Sequence, residues 1–536
     1  MPSTIASLFR LARAGIVMAQ YGVQFVPKGV PVPFALRLAR IATWPIQILS
    51  WPFRARIDPS RRVSHALTAL GPSYIKLGQF LATRGDLIGA KLAGDLANLR
   101  DRLPPFSMRQ ARSTIEQSFG GKLEDNFAKF GEPVAAASIA QVHRAVVADP
   151  QDGLRDVAVK ILRPGIERQF RNDLDSYFLA ASWIERLYPP ARRLRPVAVI
   201  ENLAQTTEIE MDLRLEAAAI SEMADNIQKD NGKSDGHFRV PDVDWKRTSK
   251  RVLSLEWIDG IKLSDRQALI DAGHDVERLG LTVMRSFLRH AMRDGYFHAD
   301  MHQGNLFVEP DGTLVAVDFG IMGRLGPTER RFLAEILNGL ITRDYRRAAE
   351  VHFEAGYVPP HHSIDVFAQA MRAIGEPIHG RRADEISMAD LLAQLFAYTD
   401  VFDMETRPEL ILLQKSMVIV EGVARELDPH LNMWVAAEPI AKEWLMENYG
   451  VSGRLKDVNR GAQTLGRVIA EAPRVLEKAE QATIAFADMA EGGLRIDDDS
   501  IERIARRQSR GAWWAQAARW IIAISLAVIA WSVLFE

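Results

Sequence analysis

The sequence predicts an α+β fold of two lobes, with a helical extension in front and an apolar helix at the far end. Three observations carry that prediction. The block His298-Ala299-Asp300-Met301-His302-Gln303-Gly304-Asn305 is followed at short range by Asp318-Phe319-Gly320. Well upstream lies an alternating run, Asp156-Val157-Ala158-Val159-Lys160, that reads as a strand ending in an ammonium. The chain closes on Trp520 to Phe535, where two serines are the only interruptions among apolar residues.

Residues 1–57 contain no Asp or Glu but carry Arg10, Arg13, Lys28, Arg37, Arg40, Arg54 and Arg56 among Ile5, Leu8, Phe9, Ile16, Phe34, Trp44 and Trp51. Two readings fit: basic amphipathic helices lying on an anionic membrane surface, or a pair of helices packed on the core. The apolar stretch from Ala14 is short and runs into Pro27, Pro31 and Pro33, which argues against a signal peptide. In the helical segment 58–130, Lys76 and Gln79 stand three apart and share a helix face. On the residues alone that is an ordinary solvated face.

Residues 131–260 form the first lobe. Val134, Ala135, Ala136, Ala137, Ser138, Ile139, Ala140, Gln141 and Val142 lie between two strand-like runs, upstream of Lys160. A nucleotide-binding loop belongs there, and a protein kinase has a glycine-rich one. Alanine admits a phosphate nearly as closely as glycine but resists positive φ, so a stiffer loop is expected. Lys160 needs an acidic partner, and Glu208, Glu210, Asp212 and Glu216 supply candidates. On one helix Asp212 and Glu216 share a face while Glu210 and Asp212 diverge, so the acids cannot all meet one lysine. Leu255 to Gly260, with Glu256 in the candidate nucleotide set, then reads as the hinge between lobes.

Residues 261–450 form the second lobe, helical in pattern at 279–294, 328–343, 362–374 and 408–427. Asp300 and Asn305 have the Asp-x-x-x-x-Asn spacing of a kinase catalytic loop, and Asp318 would leave a short strand, Leu314 to Val317. The assignment is therefore a bilobal protein-kinase-like fold binding ATP and Mg²⁺. Asp300 would be the catalytic residue, Asn305 and Asp318 the metal ligands, and Lys160 the phosphate contact. After Gly320 the sequence reaches the helix start Pro327-Thr328-Glu329 almost at once, and no Ala-Pro-Glu follows. The platform that holds a peptide substrate is missing.

Residues 451–510 read as an amphipathic helical linker and 511–536 as a transmembrane or membrane-anchoring helix. Trp520 to Phe535 alone spans only about 24 Å as a helix, and residues from Ala512 lengthen it. Arg503, Arg506, Arg507 and Arg510 place the basic side in the cytoplasm. A net charge of −1 argues against a nucleic-acid partner, and the absence of cysteine rules out disulfides and thiolate chemistry.

Taken together the motifs resemble the UbiB family, atypical kinase-like proteins of ubiquinone biosynthesis. Lys76-Leu77-Gly78-Gln79 resembles its KxGQ motif, Ala135 to Gln141 its alanine-rich loop, Glu210 and Asp212 its ExD motif, and HADMHQGN its HADPHPGN loop. Met301 and Gln303 replace two prolines and leave every ligand in place. The resemblance implies that Glu216 pairs with Lys160 and that Lys76 and Gln79 fold over the active site and restrict access. It also implies a bacterial inner-membrane protein with its kinase-like domain in the cytoplasm. Expected partners are membrane lipids, polyprenyl-phenol quinone precursors, ubiquinone-biosynthesis enzymes and a second copy of the chain in a homo-oligomer. The expected activity is Mg²⁺-dependent ATP hydrolysis or small-molecule phosphorylation. The alternatives are a nucleotide-gated scaffold and a true protein kinase.

Overall fold

The computed structural model describes residues 4–23, 61–82, 103–149, 153–189, 195–229, 237–380 and 408–449, with a few short stretches between them. The expected linker 451–510, the expected membrane helix 511–536 and most of the basic segment after residue 23 lie outside the described residues. Among the described residues no helix is long and apolar enough to cross a membrane. The described residues belong to one compact unit, Met1–Leu445, apart from the last turn of the final helix.

The N-terminal helices α1 (Thr4–Gln20), α2 (Arg62–Leu70), α3 (Pro72–Ala82) and α4 (Ala90–Ala97) precede the first lobe. Ala14, Met18, Leu67, Tyr74, Ile75 and Leu96 pack with Tyr177, Ala181 and Leu203 into a core of their own. Gly78 is what lets α3 approach: a Cβ there would lie 2.6 Å from Leu67 Cδ1 and 2.8 Å from Leu99 Cδ2. The opposite side of α1 turns Ile5, Leu8, Phe9 and Ile16 to solvent, an apolar stripe at helical spacing.

Next come α5 (Met108–Phe119) and the single turn α6 (Leu123–Asn126). Ser107 and Gln110 form a capping box at the start of α5, and Gly120 ends it at φ 74°. Ala111, Ile115, Leu123 and Phe127 pack beneath Val147, Val157, Val159 and Ile161 of the sheet. The stretch expected as one extension, 58–130, is thus shared between two cores, because its last helix belongs to the first lobe.

That sheet is antiparallel and four-stranded, in the order β1 (Lys129–Ala136), β2 (Ala140–Asp149), β3 (Gly153–Leu162) and β5 (Val252–Glu256). Between β3 and β5 the chain builds α7 (Ile166–Leu187), α8 (Pro196–Glu210) and α9 (Leu213–Gln228). The helix expected across 208–216 breaks at Met211-Asp212. Asp212 accepts from Arg214 N at 3.2 Å and serves as the N-cap of α9.

The second lobe carries a small sheet in the order β4 (Phe238–Arg239), β9 (Leu314–Ala316), β8 (Leu306–Val308) and β6 (Ile261–Lys262). A two-stranded ladder pairs β7 (Tyr296–His298) with β10 (Met322–Arg324). Around them pack α10 (Arg266–Asp271), α11 (Val276–Arg289), α12 (Pro327–Ile341), α13 (Tyr345–Glu354), α14 (Ile364–Gly380), α15 (Pro408–Leu427) and α16 (Met433–Tyr449). A π-helical turn, His290–Asp294, ends α11 just before β7. The ladder is tight, since a Cβ at Gly323 would fall 2.1 Å from the Phe297 ring. From Gly320 the chain enters β10 and then α12 directly, in keeping with the missing peptide platform.

Candidate functional site

The site assembles from four backbone segments. Lys160 is the register partner of Val142 on one side and Leu253 on the other, so its side chain emerges from the middle of the sheet. Glu216, one turn into α9, meets it through both carboxylate oxygens, at 2.7 and 2.9 Å. On its other side Lys160 donates to Asp318 Oδ1 at 2.8 Å. One ammonium thus ties the first lobe to the Asp-Phe-Gly motif of the second.

These contacts fix the charges. Burial alone would lower the Lys160 ammonium, but the carboxylates of Asp318 and Glu216 outweigh it and hold the group well above its ordinary range. Lys160 in turn keeps Asp318 well below the usual carboxylate range. Glu216 is driven the other way, to about 7, by burial and by the like charge of Asp318 against the pull of Lys160. Asp318 has φ 64°, a conformation that costs a non-glycine residue on the order of 1 kcal/mol and that recurs at functional sites. Its side chain stays 51% exposed, open to the cleft.

The catalytic loop is held by its neighbours. His298 Nδ1 accepts from Asp300 N at 3.1 Å while Nε2 contacts Val317 O at 3.3 Å, so the Nε2–H tautomer links the loop to the residue before Asp318. Burial lowers the His298 pKa and keeps the ring neutral. Asn305 donates from Nδ2 to Asp300 O at 3.2 Å, which leaves its Oδ1 as the atom able to ligate. From α15, the Ser416 hydroxyl is shared between Leu412 O of its own helix at 2.7 Å and Ala299 O at 3.1 Å. Burial lowers the pKa of the adjacent Lys415, with the charges of Asp300 and Lys76 acting on it in opposite directions.

The acids of 208–216 are divided among three cations. Glu210, at the end of α8, meets Lys76 of α3 at 2.7 Å; Asp212 meets Arg214 at 2.6 Å; Glu216 takes Lys160. The KxGQ lysine is thereby seated beside the site, and its charge is felt at Asp318. Gln79, half-buried, is three residues further along the same helix.

The alanine loop is pinned from behind. Ala137 N donates to Ala140 O at 2.8 Å, closing the turn between β1 and β2. Arg163 then donates to Ser138 O at 3.0 Å, to Ala137 O at 3.1 Å and to Pro104 O at 2.7 Å. Val134 and Ala135 are exposed, Ala136, Ala137 and Val142 half-buried, and Ser138, Ile139, Ala140 and Gln141 buried. The Gln141 side chain is committed to Phe106 N at 2.9 Å and His143 Nε2 at 2.8 Å, so any nucleotide contact there falls to its backbone.

Glu256 is likewise committed at its side chain. Its carboxylate takes both arms of Arg239 at 2.8 and 2.9 Å, and Arg239 also holds Glu309 at 2.6 Å. Any nucleotide contact at this position therefore falls to its backbone, and the pairing with Arg239 of β4 carries no sequence signal. Arg163, Lys415 and Ser416 escaped sequence reasoning altogether. An Arg directly after a strand and a Lys-Ser pair on a helix carry no motif.

Residues 98–352 match the ABC1 atypical kinase-like domain and residues 371–432 the UbiB helical domain. A probable protein kinase UbiB of Marinobacter nauticus is 37% identical over 479 residues, covering 88% of this chain and 85% of that protein. Its counterpart in Xylella fastidiosa is 36% identical over 485 residues, covering 88% and 84%. That of Xanthomonas oryzae pv. oryzae is 35% identical over 511 residues, covering 93% and 88%. Among solved structures, the Mycobacterium tuberculosis protein Rv3197 in complex with erythromycin aligns with a TM-score of 0.48 at 23% identity, covering 76% of this chain and 97% of that one. With two domain models and full-length relatives in agreement, the chain belongs to the UbiB family of atypical kinase-like proteins.

Proposed function

We propose that this protein binds ATP with Mg²⁺ and hydrolyses it, or transfers its phosphoryl group to a small molecule, in support of ubiquinone biosynthesis at the bacterial inner membrane. The observation that carries the reading is Lys160 held between Glu216 and Asp318, with Asn305 and Asp300 on the adjoining loop. The donor set suits Mg²⁺: a carboxylate and an oriented amide oxygen are hard ligands of the kind that ion prefers alongside phosphates. Bound there, Mg²⁺ would neutralise phosphate charge. The chain's own residues do the rest. Lys160 contacts the α- and β-phosphates, residues 134–142 cover them, and Asp300, its backbone fixed by His298, orients the acceptor and takes its proton.

A small or aqueous acceptor is favoured over a protein. The chain passes from Asp318-Phe319-Gly320 straight into β10 and α12, and Lys76 of α3 sits against Glu210 beside the site. Membrane attachment rests on the exposed apolar stripe of α1 and on the apolar sequence 511–536. Polyprenyl-phenol quinone precursors, biosynthetic enzymes and a second copy of the chain are the partners this placement implies. The loop held by Arg163 also favours a second reading, a nucleotide-gated scaffold, since a loop pinned at two carbonyls has little freedom to reshape during turnover.

The test is ATP turnover by the full chain in anionic lipid vesicles. Mg²⁺-dependent turnover that disappears in Asp318→Asn supports the assignment, and turnover indifferent to that change removes it. Tight ATP binding without measurable turnover selects the scaffold.

A further inference from the structure

Away from the nucleotide cleft, His361, His362 and Asp403 bring one ligand atom each to within 4.8 Å of one another. His362 Nε2 lies 3.2 Å and His361 Nε2 3.5 Å from the same oxygen, Asp403 Oδ2. In a tetrahedral zinc site with bonds near 2.0–2.1 Å, neighbouring ligand atoms stand about 3.3 Å apart. The two imidazole–carboxylate separations bracket that value, and all three ligand atoms stay within 4.8 Å of one another.

The backbone beneath the ligands is fixed. His362 N donates to Pro359 O at 3.2 Å and Phe367 N to Ser363 O at 3.0 Å, which sets the turn entering α14. Across from it, Phe402 is buried, with its ring 4.9 Å from Phe367 and 5.5 Å from His362. Asp403 follows at φ 48°, an unfavourable conformation for a residue with a side chain. The two imidazoles lie 4.1 Å apart, centroid to centroid, and converge on one carboxylate oxygen.

We propose that His361, His362 and Asp403 form a zinc-binding site separate from the magnesium site. Two imidazole nitrogens and one carboxylate select a borderline d-block ion over Mg²⁺, which takes oxygen donors. Three protein ligands leave the fourth position to water. The ion clips the turn before α14 to the turn that leads toward α15, the helix whose Ser416 holds the catalytic loop. Its role is that of a staple between those two turns.

The experiment is zinc titration of the untagged full chain by calorimetry, in saturating Mg²⁺ so that the oxygen-donor site is occupied. Cobalt(II) substitution is followed in parallel by its visible absorption. The proposal expects one zinc per chain and the intense visible bands of tetrahedral cobalt. His362→Gln and Asp403→Asn should each weaken binding by about 100-fold or more. His361→Cys, which keeps a ligand, should retain zinc, and this separates loss of a ligand from loss of the fold. Absence of zinc binding by the folded wild-type chain overturns the proposal, as does affinity unchanged in both His362→Gln and Asp403→Asn.

Discussion

Replacing Gly78 with alanine tests whether this glycine is there for packing. On α3 it lies between the Lys76 and Gln79 positions, and a Cβ would come within 2.6 Å of Leu67 Cδ1 and 2.8 Å of Leu99 Cδ2. Ordinary carbon contacts are about 3.5–4.0 Å, so both leucine tips must retreat by nearly an ångström. Leu67 and Leu99 are 5% and 6% exposed and have little room to do so. Overpacking of this kind costs about 1–3 kcal/mol, against a helix-propensity gain for alanine of about 1 kcal/mol. The balance is a net loss of up to about 2 kcal/mol. Gly94, on the neighbouring α4, is the control, since nothing lies within 4 Å of its Cβ position and alanine there should be neutral or stabilising. Urea titration of both variants, followed by tryptophan fluorescence, reads the difference. If Gly78→Ala is as stable as Gly94→Ala, close packing does not explain the glycine of this motif.

Three further outcomes follow from the same contacts. Lys76→Met strands the buried Glu210 carboxylate and should cost about 3 kcal/mol in a denaturant titration, with Glu210→Gln restoring part of it in a double-mutant cycle. Arg247 is buried, donating to Asp244 at 2.8 Å, Asp149 at 3.1 Å and Asn126 O at 2.8 Å, so Arg247→Ala should lose about 3–5 kcal/mol and Arg247→Lys recover only a fraction. Burial beside Arg293 and Arg289 lowers the His290 pKa from 6.5 to about 3. Because the unfolded chain takes up this proton first, stability is unaffected above pH 6.5 and falls by about 1.4 kcal/mol per pH unit below it, for this residue alone. Stability against pH should lose one proton's worth of slope in His290→Gln.

Local chemistry made much of the molecule legible. Alternation around Val157 and Val159 marked the strand that presents Lys160, and Asp318-Phe319-Gly320 marked the turn that meets it. The helix 408–427 has the bounds its periodicity indicated. What stayed hidden depended on distant partners. Glu210, Asp212 and Glu216 are alike in sequence, and only the break at Met211 and the arrival of α3 decide which cation each receives. Asp212 did carry a signal, since an Asp before an apolar helical run is an N-cap candidate. The partner of the Glu256 carboxylate stayed hidden because Arg239 reaches it from another sheet. His361, His362 and Asp403 gave no sign at all, because some forty residues separate the ligands.

The central claim is that Lys160 and Asp318 together build a site for ATP with Mg²⁺, and equilibrium nucleotide binding tests it most directly. ATP affinity of the full chain is to be measured by calorimetry with and without Mg²⁺, in the wild type and in Asp318→Asn. The account predicts that Mg²⁺ tightens ATP binding at least tenfold in the wild type and has almost no effect in the variant, a coupling of about 1.4 kcal/mol or more. Equal affinity with and without Mg²⁺ in the wild type, or full Mg²⁺ dependence in Asp318→Asn, would contradict it.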